Sequence, residues 1–130
     1  MTTDVPSRVL DSLRARCLAL PDAYEEDAWV GTRWCVRKKT FAHVLMVVDG
    51  RPASYAKAAG TDGPACVLTF RSTEDPSALG PKFFRAVWGT NWGADVVGLV
   101  LGGRIPWKPI GELLTESYRL MAPAKLADQV

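Results

Sequence analysis

The chain has 130 residues, a formal net charge of +2 and 48% hydrophobic side chains. A length of this order favours one domain, here residues 1–130, with a core large enough to fold without staples. The composition excludes a disordered chain, and no apolar run approaches the roughly 20 residues that a membrane helix needs.

Residues 6–20 read as a helix, because Leu10, Leu13, Cys17 and Leu20 recur at three- and four-residue steps on one face. Thr3 or Asp4 is expected to cap it, Pro6 suits its first turn, and Leu20-Pro21 ends it. The acidic stretch "DAYEEDAWVGTR" reads as a loop entering a first strand around Trp34–Val36. "RKK" then makes a turn, and residues 40–48, "TFAHVLMVV", form a strand apolar on both faces and therefore central. "DGRP" is a turn, and "ASYAKAAGTDGP" is compatible with a short helix or an irregular strand. Residues 65–71 form another strand, Asp75-Pro76 starts a short capped helix, and residues 95–103 form a buried strand ending in a glycine turn. The last helix is the clearest element: Ile110, Leu113, Leu114, Ser117, Tyr118 and Met121 make one stripe, with Pro109 in its first turn and Pro123 after its end. Terminal helices bracketing strands imply an α+β fold with both helices on one sheet face.

The three cysteines, Cys17, Cys35 and Cys66, lack a CxxC spacing and sit in apolar patterns. They are expected to be reduced and buried, which suits a cytoplasmic location. Charges at Asp4, Arg8, Asp11, Arg14 and Arg16 leave no apolar leader segment.

The small net charge is unevenly spread. Residues 1–32 carry −3, whereas residues 33–57 carry +5. The basic excess centres on "VRKKTFAHV", with Arg33, Arg37, Lys38 and Lys39, and Arg51 and Lys57 are expected to extend it. Cations on a hairpin tip can neutralise phosphates, and a two-stranded ribbon is slim enough to enter a groove. The bland alternative is a tip that is charged because it faces water. No groove-facing residue for base reading can be placed, so backbone recognition is the expected mode.

The lone histidine, His43, has no partner motif for nucleophilic catalysis, and alternation places it with Phe41, Leu45 and Val47. It is expected to pack in the sheet; an enzyme would instead need a deep pocket lined by His43 and convergent polar groups. Asp22, Glu25, Glu26 and Asp27 cluster four carboxylates, but no calcium-loop pattern accompanies them. Of the five tryptophans, Trp34 and Trp107 are expected to seal helices onto the sheet, while Trp88 and Trp92, each followed by glycine, are expected in a loop. Exposed aromatics can stack on unpaired bases, which favours single strands. No Walker loop and no GxGxxG occur, so no nucleotide cofactor is expected.

"LPDAYEEDAWVGTRWCVRKKTFAHV" and "VVGLVLGGRIPWKPIGELLTESYRLMAPAKL" together resemble the MmcQ/YjbR family. The likeness rests on Leu20-Pro21 with acids after it, Lys39-Thr40-Phe41-Ala42 at the hairpin, Trp107 opening the last helix, and "ELLTESYRLMAPAKL" closing it. It implies an antiparallel sheet with two packing helices, similar to the bacterial frataxins. It also implies a role in DNA binding through a double wing of β-hairpins; with the +5 segment, the leading expectation is a non-enzymatic domain that binds duplex DNA with little sequence specificity. The frataxin likeness implies an alternative: a metal-associated or protein-interaction module using the acidic segment 22–27.

Overall fold

In the computed structural model, which describes residues 4–86 and 95–130, helix α1 (Ser7–Cys17) comes first. Strands β1 (Tyr24–Asp27), β2 (Thr32–Val36) and β3 (Lys39–Val47) follow. Helix α2 (Ala53–Ala59) leads into β4 (Ala65–Arg71), and the short helix α3 (Pro76–Leu79) into β5 (Phe83–Arg85). Strand β6 (Val96–Leu101) and helices α4 (Trp107–Met121) and α5 (Ala124–Ala127) complete the order. The six strands form one antiparallel sheet in the order β1-β2-β3-β4-β6-β5. The fold is α+β, and β3 lies inside the sheet as its two apolar faces require.

One face of the sheet carries the main core. Val9, Leu13 and Cys17 from α1 and Ile110, Leu114 and Tyr118 from α4 bury against Trp34, Val36, Phe41, Val44, Leu68 and Phe70. Both terminal helices therefore pack on the same face. Each fully buried aliphatic side chain in this layer contributes roughly 1.5–3 kcal/mol of burial. The stripe on α4 emerges as its spacing predicts, with Ser117 among the buried positions. Its hydroxyl donates to the Phe41 carbonyl at 2.5 Å and accepts from the Arg71 amide at 2.8 Å, so it ties β3 and β4 to the helix.

The opposite face holds a smaller cluster, in which α2 covers Leu45, Val47 and Val67 through Ala56. Residues 53–59 are thus helical, ending at Gly60 in the left-handed conformation (φ 71°). His43 belongs to this second face, but Phe41 does not. The register shifts between β2 and β3, where Trp34 pairs with Ala42 and Cys35 with Thr40. Phe41 is the extra residue of a bulge. It turns to the main core beside Ala42, and its ring meets Tyr118 edge-on at 5.5 Å. Alternation counted through a bulge assigns the wrong face to every residue before it.

Other expectations also shift. The acidic segment is not a loop: Tyr24–Asp27 is edge strand β1, paired with β2 from Tyr24↔Cys35 to Asp27↔Thr32. Asp4 does not cap α1, whose N-cap is Pro6 without a side-chain bond, and Thr3 lies outside the described residues. Strand β5, three residues long, is too short to show a period. Asp75 caps α3 as expected, accepting from the Ser77 amide at 2.9 Å.

Candidate nucleic-acid interface

The β2–β3 connection has two residues, Arg37 and Lys38, between the pair Val36↔Lys39. Both lie in the left-handed region, at φ 50° and 68°. Such a turn matches the twist of the flanking strands and is normally filled by Asn-Gly. Holding an arginine and a lysine there costs on the order of 1 kcal/mol each in backbone strain. Lys38 and Lys39 are exposed and have no acidic partner among the described residues. Arg37 reaches Asp22 at 3.2 Å, with both side chains about 60% exposed. An exposed pair of this kind is weak, so a phosphate can compete for the guanidinium.

The other basic candidates do not join this tip. Arg33 pairs with His43 across the ladder, about 10 Å along the strand from Val36 at the strand rise. Its guanidinium is held by Glu26. Arg51 bridges to Val48, beyond the far end of β3. The eight steps from Lys39 to Val47 place that end about 27 Å from the turn. Lys57 is exposed on α2, over the second sheet face. The +5 segment of the sequence is therefore divided in space, and only Arg37, Lys38 and Lys39 form a contiguous cationic tip.

Three of the four carboxylates of 22–27 are engaged by arginines. Glu25 accepts from Arg14 Nε at 2.9 Å and from the buried Trp34 Nε1 at 2.9 Å, clamping edge strand β1 to α1. Glu26 binds Arg33 and Asp22 binds Arg37. Among the described residues no group of three or more His, Cys, Asp or Glu side chains is arranged to hold a metal ion. The Arg14 hydrogen bond, reinforced by the one from Trp34, holds the Glu25 carboxyl below its ordinary value of 4.5. A depressed carboxylate stabilises the fold fully above that ordinary value, and the contribution is lost as pH falls through the lower native value. Glu25→Gln is accordingly expected to reduce the loss of stability below pH 4.5, in urea titrations at a series of pH values. It also removes part of the stability present at neutral pH.

His43 packs as a sheet residue with both ring nitrogens engaged. Nε2 lies 2.5 Å from the Val30 carbonyl, which can only accept, so Nε2 carries the proton. Nδ1 then accepts from the Tyr55 hydroxyl at 3.3 Å. Burial lowers the histidine's pKa and favours this neutral form. His43 also borders a cavity of about 270 Å³, with Arg33, Thr40, Ser54 and Tyr55. Among the described residues, the only hydroxyl bonded to the ring is that of Tyr55. All three cysteines are buried free thiols, and burial pushes Cys66 up to about 11.

Trp34 is fully buried, and Trp107 is half-buried under the Arg16 guanidinium at 4.9 Å. Trp88 and Trp92 lie outside the described residues. Among the described residues the tryptophan that stands in water is Trp29, 95% exposed at the β1–β2 turn. Its setting, five residues before Trp34 and two before Gly31, is the sequence signal that could have marked it as a turn residue.

No family model matches the chain, and no curated protein matches its sequence. Solved structures do. A Pseudomonas syringae protein superposes with a TM-score of 0.61 at 16% identity, covering 90% of this chain and 98% of its own. A Deinococcus radiodurans protein described by the family-model domain DUF419 superposes with a TM-score of 0.56 at 22% identity, covering 85% of this chain and 76% of its own. The chain shares its fold with a DUF419 protein. Among the described residues no helix is long and apolar enough to cross a membrane.

Proposed function

We propose that the chain is a non-enzymatic protein of the MmcQ/YjbR type that binds duplex DNA with little sequence preference, by phosphate contacts from the β2–β3 turn. The observation that carries this reading is the turn itself: two positions suited to Asn-Gly hold Arg37 and Lys38, followed by Lys39. Strain retained at an exposed turn to present cations points to a surface used for binding. A second feature supports a pair of wings. The chain leaves β5 at Arg85 and enters β6 at Val96, at the end of the sheet where β2 turns into β3. The two hairpins are about three strand spacings apart, roughly 14 Å. The buried free thiols fit a cytoplasmic site of action.

Three cations imply a shallow salt dependence, with a slope of log K against log salt of about −2 to −3. Fluorescence anisotropy of a labelled duplex across a salt series measures it. Changing Arg37, Lys38 and Lys39 together to Ala is expected to lower affinity at least about tenfold at low salt and to flatten the slope. Arg37→Asn with Lys38→Gly is expected to weaken binding while raising stability by roughly 1–2 kcal/mol through relief of turn strain. If affinity and slope are the same in all three proteins, the turn is not the contact surface.

A further inference from the structure

A second, larger cavity opens at the outer edge of the main sheet face, about 630 Å³ in volume and within the range of a small-molecule site. It arises because α4 packs chiefly on β3 and β4, so the β6–β5 hairpin projects past it. Helix α3 packs on β5 and closes the other side through Leu79. Between the two helices Phe83, Leu99, Ile105, Ile110 and Leu113 line the walls. Leu79, Phe83, Ile105 and Leu113 are only half-buried, so they hold apolar surface in water within a concavity. Apolar surface gathered in this way marks a binding site. The polar side chains on the lining are Lys82, Arg104 and Glu112, all exposed. Lys82 lies beside Val100, whose amide donates to its carbonyl at 3.2 Å, and Arg104 comes three residues after β6 ends. The two cations therefore stand on one rim. No carboxylate pairs with either of them among the described residues. Glu112 belongs to the helical wall, on α4. An apolar chamber with an unpaired lysine and arginine on one rim is complementary to an apolar body that ends in an anion.

We propose that this cavity binds an amphipathic carboxylate, a free acyl chain of medium length. Its alkyl body lies between the hairpin and α4, and its head rests on Lys82 and Arg104. Burial of methylenes holds the body, and charge-assisted hydrogen bonds hold the head. One lysine, one arginine and one glutamate sum to +1, which matches a monoanion and not a doubly charged phosphate. Glu112 opposes the head, so its charge limits the affinity. The inference stands apart from the duplex contact. The pairs Phe83↔Leu99 and Cys66↔Leu101 place the cavity at the end of the sheet away from the β2–β3 turn.

Calorimetry with hexanoate, octanoate and decanoate, and with octylammonium as the chain-matched cation, tests the proposal. The expected result is saturable binding that tightens about threefold to fourfold with each added methylene. Octanoate should bind at least about tenfold more tightly than octylammonium. Lys82→Ala combined with Arg104→Ala, both at exposed positions outside the core, should abolish that preference. Glu112→Gln should strengthen octanoate binding. Replacing Arg37, Lys38 and Lys39 by Ala should leave all these affinities unchanged; a loss of octanoate binding there would assign the carboxylate to the basic tip and overturn the proposal. Absence of decanoate binding also overturns it. So does a preference for octanoate that survives the loss of Lys82 and Arg104.

Discussion

Ser117→Ala is expected to destabilise the fold by about 2–4 kcal/mol, an unusually large loss for removing one oxygen atom. The hydroxyl is fully buried and serves two backbone groups that the sheet itself cannot satisfy. The last β3–β4 pair is Ala42↔Phe70; the Ser72 amide bonds the Asp95 carbonyl on the β6 side, so the Arg71 amide faces β3, and the Ser117 hydroxyl stands between it and the Phe41 carbonyl that the bulge turns out of the β2 ladder. Truncation strands a donor and an acceptor at once, and each unsatisfied buried group costs about 1–3 kcal/mol. Urea unfolding followed by tryptophan fluorescence measures the loss. A change below about 1 kcal/mol would show that the two groups find other partners and that α4 is held by its apolar stripe alone.

Gly31→Ala should cost about 3–5 kcal/mol, through strain and collision together. Gly31 has φ 80°, a left-handed conformation. A Cβ there would also overlap the Val44 carbonyl oxygen, a backbone atom with no freedom to move. The chain crosses closely over β3 at this point to bring Ala28 and Val30 around the Trp29 turn. Gly60→Ala separates the two causes. Gly60 has φ 71°, but nothing lies within 4 Å of an added Cβ. Its replacement should therefore cost only about 1 kcal/mol. Thermal unfolding of the two variants should differ accordingly; similar losses would mean that the turn at Gly31 opens to admit the methyl group.

The helices were legible because their residues repeat with a helical period. Leu13 and Cys17, and Ile110, Leu114 and Tyr118, enter the core on the faces that their spacing assigns. Strands β3, β4 and β6 were legible as apolar runs bounded by turns. Strand β1 was not, because "YEED" lacks apolar alternation: Glu25 faces inward, and a partner eleven residues earlier in the chain, Arg14, makes that position tolerable. The bulge was equally hidden, since it arises from pairing between strands and leaves no mark within "KTFAHV". The basic tip was read correctly as a turn, but its left-handed geometry was not foreseen, because Arg-Lys is not a turn signature. Arg33, Arg51 and Lys57 looked like neighbours of the tip only because they are near it in sequence. An antiparallel strand carries the chain away from its own turn at about 3.4 Å per residue. The cavity beside His43 joins residues from β1–β2, β3 and α2, so no local pattern could display it.

The acidic edge strand has a consequence for encounters between copies of the chain. A sheet is extensible wherever an outer strand offers free backbone groups, and here the outer strands are β1 and β5. Strand β5 offers only three residues, and in β1 three of the four side chains are carboxylic acids. A second copy aligning β1 against β1 would bring two rows of carboxylates into register, with Glu25 already locked to Arg14 and unable to swing aside. The guard is electrostatic, so acid removes it, and Glu25, held below its ordinary value by Arg14, keeps its charge to lower pH than a free glutamate would.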